Sequence, residues 1–144
     1  MPPNEYTITT DKRRLDLSAI HAFLSQAYWS PGVPLDVVEK AVENSLAFGV
    51  LLGQEQVGFA RVVTDKATFA YLADVYVLDA HRGKGLSKRL LEEIQAHEDL
   101  QGLRRFLLAT KDAHGLYAQF GFQELANPSR MMEKLNPNAY RQSP

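Results

Sequence analysis

Between residues 67 and 109 the chain reads as strand, glycine turn, helix and strand, a unit that fixes two of its strands as parallel neighbours. A helix-bearing crossover joins strands that run the same way, and it does so with one hand. The first strand covers about 67–78, the helix carries Leu86, Leu90, Leu91 and Ile94 on one face to about His97, and the second strand covers 104–109. Upstream, the apolar runs 47–53 and 56–64 are separated only by short polar turns at Gln54-Glu55 and Asp65-Lys66, so these strands pair antiparallel. A short strand at 5–10 opens the chain. Leu17, Ile20, Phe23, Leu24, Ala27 and Tyr28 then share a helix face, which Ser30-Pro31-Gly32 breaks. A second helix is predicted from Pro34 to about Asn44, with Leu35, Val38, Val42 and Leu46 on one side. Downstream, Ala113, Leu116, Tyr117 and Phe120 mark a short helix, and strands are expected near 122–126 and over 130–135. The sum is a mixed α/β fold: a twisted, mostly antiparallel sheet of six to seven strands, with helices on both faces. Residues 1–144 are expected to form one domain, with a core over about 5–135 and a loose polar tail over 136–144.

Charge and cysteine content narrow the chemistry. The formal net charge is -1, and the basic runs Lys12-Arg13-Arg14 and Arg104-Arg105 are short, so a nucleic-acid partner is not expected. With no cysteine there is no thiol nucleophile and no thiolate metal site. His21, His81, His97 and His114 show no metal-ligand spacing, and no metal is expected. The first residues lack a signal-peptide pattern, and no apolar run approaches the ~20 residues that span a bilayer. A cytoplasmic protein without a membrane partner is the expectation.

The most informative stretch is 74–88, where a strand ends, glycines follow and a helix begins. The first amides of a helix have no internal acceptor, and the positive end of the macrodipole adds to them, so an anion is favoured there. Glycine lets a diphosphate approach the backbone, and Arg82, Lys84 and Lys88 can add charge at the rim. Taken alone, these residues are better explained by a plain tight turn. The spacing G-x-G-x-S fails the dinucleotide fingerprint, and no Walker loop occurs.

Residues 82–87, R-G-K-G-L-S, resemble the acetyl-CoA loop [Q/R]-x-x-G-x-[G/A] of the GNAT superfamily of N-acetyltransferases. Arg82 and Gly85 fill their positions; Ser87 replaces the usual Gly or Ala but is small and keeps its amide. Asp74-Val75-Tyr76-Val77 resembles the strand before that loop, and A-H-G-L-Y-A-Q-F-G-F at 113–122 resembles a later motif of the family. The element order over about 5–135 is also similar.

The resemblance implies an acetyl-CoA-dependent enzyme whose parallel central pair of strands splays to admit the cofactor. Gly83, Lys84, Gly85, Leu86 and Ser87 would then hold the pyrophosphate through backbone amides, with Arg82 beside them. Val75, Tyr76 and Val77 would lie along the pantetheine arm, with Val77 N–H as a donor to the oxyanion. Thr110 stands where many members carry a cofactor- or acceptor-contacting asparagine. Tyr117 matches the tyrosine that protonates the leaving thiolate, and this reading is preferred to that of a core aromatic on the 113–120 face. Asp74 is the candidate base, directly or through water, or else a strand acid bonded to a neighbouring loop. Tyr28, Trp29, Phe48, Arg61 and Tyr71 are the candidates for the acceptor site; Tyr28-Trp29 serves as an aromatic wall or as packing, and Arg61 meets a substrate carboxylate or solvent. The acceptor is a primary amine of a small molecule or peptide, attacked in a ternary complex because no acetyl-cysteine can form. A non-catalytic acyl-CoA sensor of the same fold is the alternative. The family often pairs subunits, so a homodimer is compatible, though no residue demands it.

Overall fold

The computed structural model describes residues 5–140. Its strands are β1 (Tyr6–Thr9), β2 (Leu46–Leu52), β3 (Glu55–Thr64), β4 (Phe69–Val77) and β5 (Arg105–Leu108). They lie in sequence order in one sheet; the first three pairings are antiparallel and β4–β5 is parallel. The helices are α1 (Leu17–Leu24), α2 (Leu35–Glu43), α3 (Leu86–Ala96) and α4 (His114–Ala118). Asp16 caps α1 by accepting from Ala19 N at 3.0 Å. Pro34 precedes α2, where the missing N–H is no loss.

Two cores flank the sheet, as a sheet with helices on both faces requires. On one face Leu86, Leu90, Leu91 and Ile94 of α3 pack against Phe48, Val50, Val57 and Val62. On the other, Ile20 and Leu24 of α1 and Val38 and Val42 of α2 pack against Ala47, Phe59 and Tyr76. Because both faces are covered, β2 is apolar at nearly every position and β3 is buried through its middle.

The sheet has five strands, not six to seven. Residues 122–126 and 130–135 join no ladder; a single 3-10 turn, Pro128–Arg130, interrupts them. A strand is stable only against a neighbour, and here this segment runs past β5 without pairing to it. The parallel pair therefore lies at one edge of the described sheet instead of its centre. In the tail Asn138 N donates to Asn136 Oδ1 and Ala139 N to Asn136 O, and the Tyr140 carbonyl lies near Gly32. Residues 141–144 lie outside the described residues.

β4 carries an extra residue. Arg61 faces Ala73 and Phe59 faces Tyr76, so Ala60 alone spans Asp74 and Val75. Asp74 absorbs the mismatch with φ +57°, a conformation that Asp and Asn tolerate better than most residues. The bulge changes which face each side chain meets: Ala70 and Leu72, then Val75 and Val77, point toward α3, while Tyr76 points toward α1 and α2.

The turn between β3 and β4 depends on Asp65, whose carboxylate accepts from the Thr68 hydroxyl and from the amides of Ala67, Thr68 and Phe69. The Thr68 hydroxyl first, then those amides, hold its pKa well below the usual carboxylate range. A depressed pKa gives stability that is present above the unfolded value of about 3.9 and is lost as pH falls below it. Asp65→Asn is expected to lower Tm at neutral pH. It should also flatten the fall of Tm between neutral and acidic pH, read by thermal melts at several pH values; parallel curves for both proteins would remove Asp65 from the account.

Candidate active site

The β4–β5 pairing stops at Leu72–Leu108, and Ala73 to Val77 continue with no strand on that side. The two strands part where a cleft of about 580 Å³ opens. Its walls are the α1–α2 segment, the Asp74 bulge of β4, the loop after β5 and Tyr117 of α4. Leu78 N donates to Val57 O on β3 at 2.8 Å. Successive amides of an extended chain point to opposite edges, so Val77 N–H, and Val75 N–H two residues earlier, turn away from β3 toward the gap.

Past that strand end, a 3-10 turn (Asp79–His81) and the glycine loop lead into α3. Among the described residues, no backbone amide from Gly83 to Lys88 donates to a protein acceptor; the first that does is Arg89 N, to Gly85 O at 3.1 Å. Gly83 (φ +78°) and Gly85 (φ +74°) hold the left-handed conformation that only glycine takes freely, and no atom lies within 4 Å of where a Cβ would stand on either. Unpaired amides, a helix N-terminus and open space over the glycines fit a diphosphate. Arg82 braces the loop instead of standing free: its Nε donates to Val77 O at 2.9 Å and its guanidinium pairs with Asp79. Leu86 gives the loop only its amide, since its side chain is buried under the sheet.

The bulge aims Asp74 into the cleft. Its Oδ2 accepts from Arg61 Nε at 2.9 Å and its Oδ1 from Trp29 Nε1 at 2.8 Å. The Arg61 Nη1 also donates to the buried Ser45 Oγ at 3.2 Å. Trp29, Arg61 and Asp74 thus form one fixed unit. Tyr28 meets Trp29 edge-on with centroids 5.1 Å apart, and Lys111 Nζ lies 5.2 Å over the Tyr28 ring. Tyr71 lines the same cleft.

Tyr117 is 9% exposed, with its ring edge-on to Phe122 at 6.1 Å. Its hydroxyl bonds to no described residue, yet it is not a buried unpartnered atom, so it opens on the cleft. Burial, and then the nearby Tyr28, push its pKa up. It therefore holds its proton at neutral pH and can donate it. Thr110 also lines the cleft, where its Oγ1 accepts from Ala113 N at 3.0 Å and so shapes the turn into α4.

Two expected site residues stand elsewhere. Phe48 is buried against α3, edge-on to His97, because the alternation of β2 turns Ala47 and not Phe48 toward α1 and α2. The Tyr76 ring stacks on Phe23 at 3.9 Å in the α1–α2 core, where burial pushes its pKa up; only its backbone runs along the strand. Conversely, the sequence reading passed over Lys111, Ser45 and Tyr140, of which Lys111 and Tyr140 line the cleft. Tyr140 is an aromatic residue in an otherwise polar tail, which was the one available signal.

Among the described residues no cluster of three or more His, Asp or Glu could hold a metal ion, and no helix is long and apolar enough to cross a membrane.

Comparison with known proteins agrees with this geometry. A family model described as an acetyltransferase (GNAT) domain matches residues 43–124, which include both the glycine loop and Tyr117. A protein of Gibberella zeae named "Putative acetyltransferase FG08082" is 33% identical, over 80% of this chain and 77% of its own. A crystal structure of a GNAT-family protein from Xanthomonas campestris pv. campestris superposes with a TM-score of 0.92 at 50% identity, covering 95% of this chain and 97% of the other. The glucosamine-6-phosphate N-acetyltransferase of Arabidopsis thaliana shares the fold at a TM-score of 0.64 and 16% identity, over 90% of this chain and 97% of that one. With half the chain matched by the family model and close relatives matched over most of their length, this protein belongs to the GNAT family of acetyltransferases.

Proposed function

We propose that this protein transfers the acetyl group of acetyl-CoA to a primary amine of a small molecule or peptide, by direct attack with both substrates bound. Two observations carry the reading: the unpaired amides over Gly83–Lys88 follow the end of β4, and the Tyr117 hydroxyl opens on the cleft where β4 and β5 part. The loop amides take the pyrophosphate. The outward amides of Val75 and Val77 pair with the pantetheine arm as an added strand would, and Val77 N–H faces the oxyanion that forms on attack.

The acceptor enters from the side walled by Tyr28, Trp29, Arg61 and Tyr71. A lysine-like amine has a pKa of about 10.4, so it must lose a proton before it can attack. Asp74 receives that proton, directly or through a solvent molecule, on the lone pairs its oxygens keep beside the Trp29 and Arg61 donors. The C–N bond forms as the carbonyl electrons move to oxygen; collapse of that oxyanion breaks the C–S bond, and Tyr117 gives its proton to the departing thiolate. Arg61 and Trp29 hold Asp74 in place throughout.

The test is release of free CoA across a panel of amines, amino acids and peptides, with the amine product identified by mass. Acetylated product with one acceptor class supports the reading. Tight acetyl-CoA binding with no turnover on any amine would instead favour a sensor of the cofactor.

A further inference from the structure

The cleft leaves aromatic surface open on its acceptor side and little free charge. Tyr28 (60% exposed), Trp29 (41%), Val37 (37%) and Tyr140 (37%) all line it, together with the half-buried Tyr71. Single exposed apolar side chains are ordinary, but a concave group of them rich in rings marks a ligand surface. This wall reaches the reacting centre at two points. Trp29 Nε1 bonds Asp74 at 2.8 Å. Tyr28, edge-on to Trp29, stands close enough to Tyr117 to add to burial in raising the Tyr117 pKa. An amine delivered to Asp74 therefore brings the rest of its molecule against these rings.

Charge is scarce along the same lining, which holds Arg61, Asp74, Lys111 and Asp112. Arg61 and Asp74 neutralise one another at 2.9 Å, and the Arg61 guanidinium is further engaged by Ser45. Lys111 lies over the Tyr28 ring, and Asp112 is exposed beside it in the chain. A second ammonium on the acceptor would find a free carboxylate only at Asp112, next to the Lys111 cation. A carboxylate beside the amine would be brought to the carboxylate of Asp74, whose guanidinium is already taken. Either charge would lose water without gaining a partner, a cost that an uncharged body escapes.

Resting on the acetyl-transfer reading, we propose that the acceptor is a monoamine on an aromatic body, an arylalkylamine, with its ring against Tyr28 and Trp29 and its nitrogen at Asp74. A ring is preferred to a saturated body of the same shape, because edge and face contacts between rings add to the burial that either body gains. The one charge of such a molecule is on the nitrogen, and it is lost when the amine gives up its proton to attack. Nothing else on the molecule then needs a polar partner.

Four amines separate the parts of this inference. Phenethylamine has the ring and one amine. Cyclohexylethylamine saturates the ring, phenylalanine adds a carboxylate, and putrescine replaces the ring by a second ammonium. CoA release at saturating acetyl-CoA is expected to give phenethylamine a kcat/KM about 3-fold above cyclohexylethylamine. Its lead over phenylalanine and putrescine should be at least about 10-fold. Tyr28→Ala, which removes an exposed ring, should erase the lead over cyclohexylethylamine. Binding is read separately: Trp29 is the only tryptophan of the chain, so phenethylamine titrated into the CoA-bound protein should change the intrinsic fluorescence.

Phenylalanine, putrescine or cyclohexylethylamine turned over as well as phenethylamine overturns the inference and leaves acetyl transfer standing. So does an undiminished lead in Tyr28→Ala, or turnover of phenethylamine with unchanged Trp29 emission. A fluorescence change with no acetylation of any amine strikes the transfer reading, while the site for an arylalkylamine stands. Absence of both signals overturns both.

Discussion

Gly85→Glu is expected to raise the dissociation constant for acetyl-CoA by about 100-fold or more, roughly 2.7 kcal/mol, while the chain stays folded. Two effects act together. Gly85 sits at φ +74°, and an L side chain in that conformation costs about 1–2 kcal/mol. A glutamate there also brings a carboxylate to the amides of Leu86 to Lys88, which otherwise face the diphosphate. Gly85→Ala separates the two, since it carries the backbone strain without the charge and should weaken binding only a few-fold. Titration calorimetry with acetyl-CoA reads both variants, and thermal melts establish that they fold. A Cβ added at Gly85 meets no atom within 4 Å, so Gly85→Ala brings no clash with it. Wild-type affinity in Gly85→Glu would place the diphosphate elsewhere and remove the basis for the proposed reaction.

Tyr117→Phe is expected to lower kcat by about 100-fold and leave the KM for acetyl-CoA near its wild-type value. The ring keeps its place against Phe122, so the substitution removes a proton donor and little packing. Burial raises the phenol pKa, which keeps the donor protonated through neutral pH. Steady-state release of CoA, with acetyl-CoA varied at saturating acceptor, separates the two constants. Unchanged kcat would assign protonation of the thiolate to solvent.

How much of this was legible depended on the range of the interaction involved. The βαβ unit could be read because Ala70 and Leu72, and then Val75 and Val77, are spaced as in a strand and Leu86, Leu90 and Ile94 as in a helix, with glycines between. Phe48 could not be assigned a face: both sides of β2 are buried, so an unbroken apolar run hides its alternation. The bulge left a trace, since the apolar parity of Ala70 and Leu72 changes at Val75 and Val77, but only the pairing to Ala60 shows where the extra residue sits. The terminal strands failed because Phe122 and Met131 have strand-like side chains, while a ladder needs an available neighbour. The bond from Trp29 to Asp74 joins residues far apart in the chain, and no local pattern announces it.

The extra residue in β4 makes that strand behave like a reading frame. Drawing Asp74 into the ladder, so that β4 paired with β3 straight through, would barely change the strand's length, yet it would turn every later side chain inside out. Tyr76 would be thrown toward α3, and Val75 and Val77 toward α1 and α2. The outward amides would reverse with them, closing against β3 the two donors that now face the gap. Loops of this molecule can gain or lose residues at modest cost; in this strand the one unpaired residue sets the phase of everything that follows.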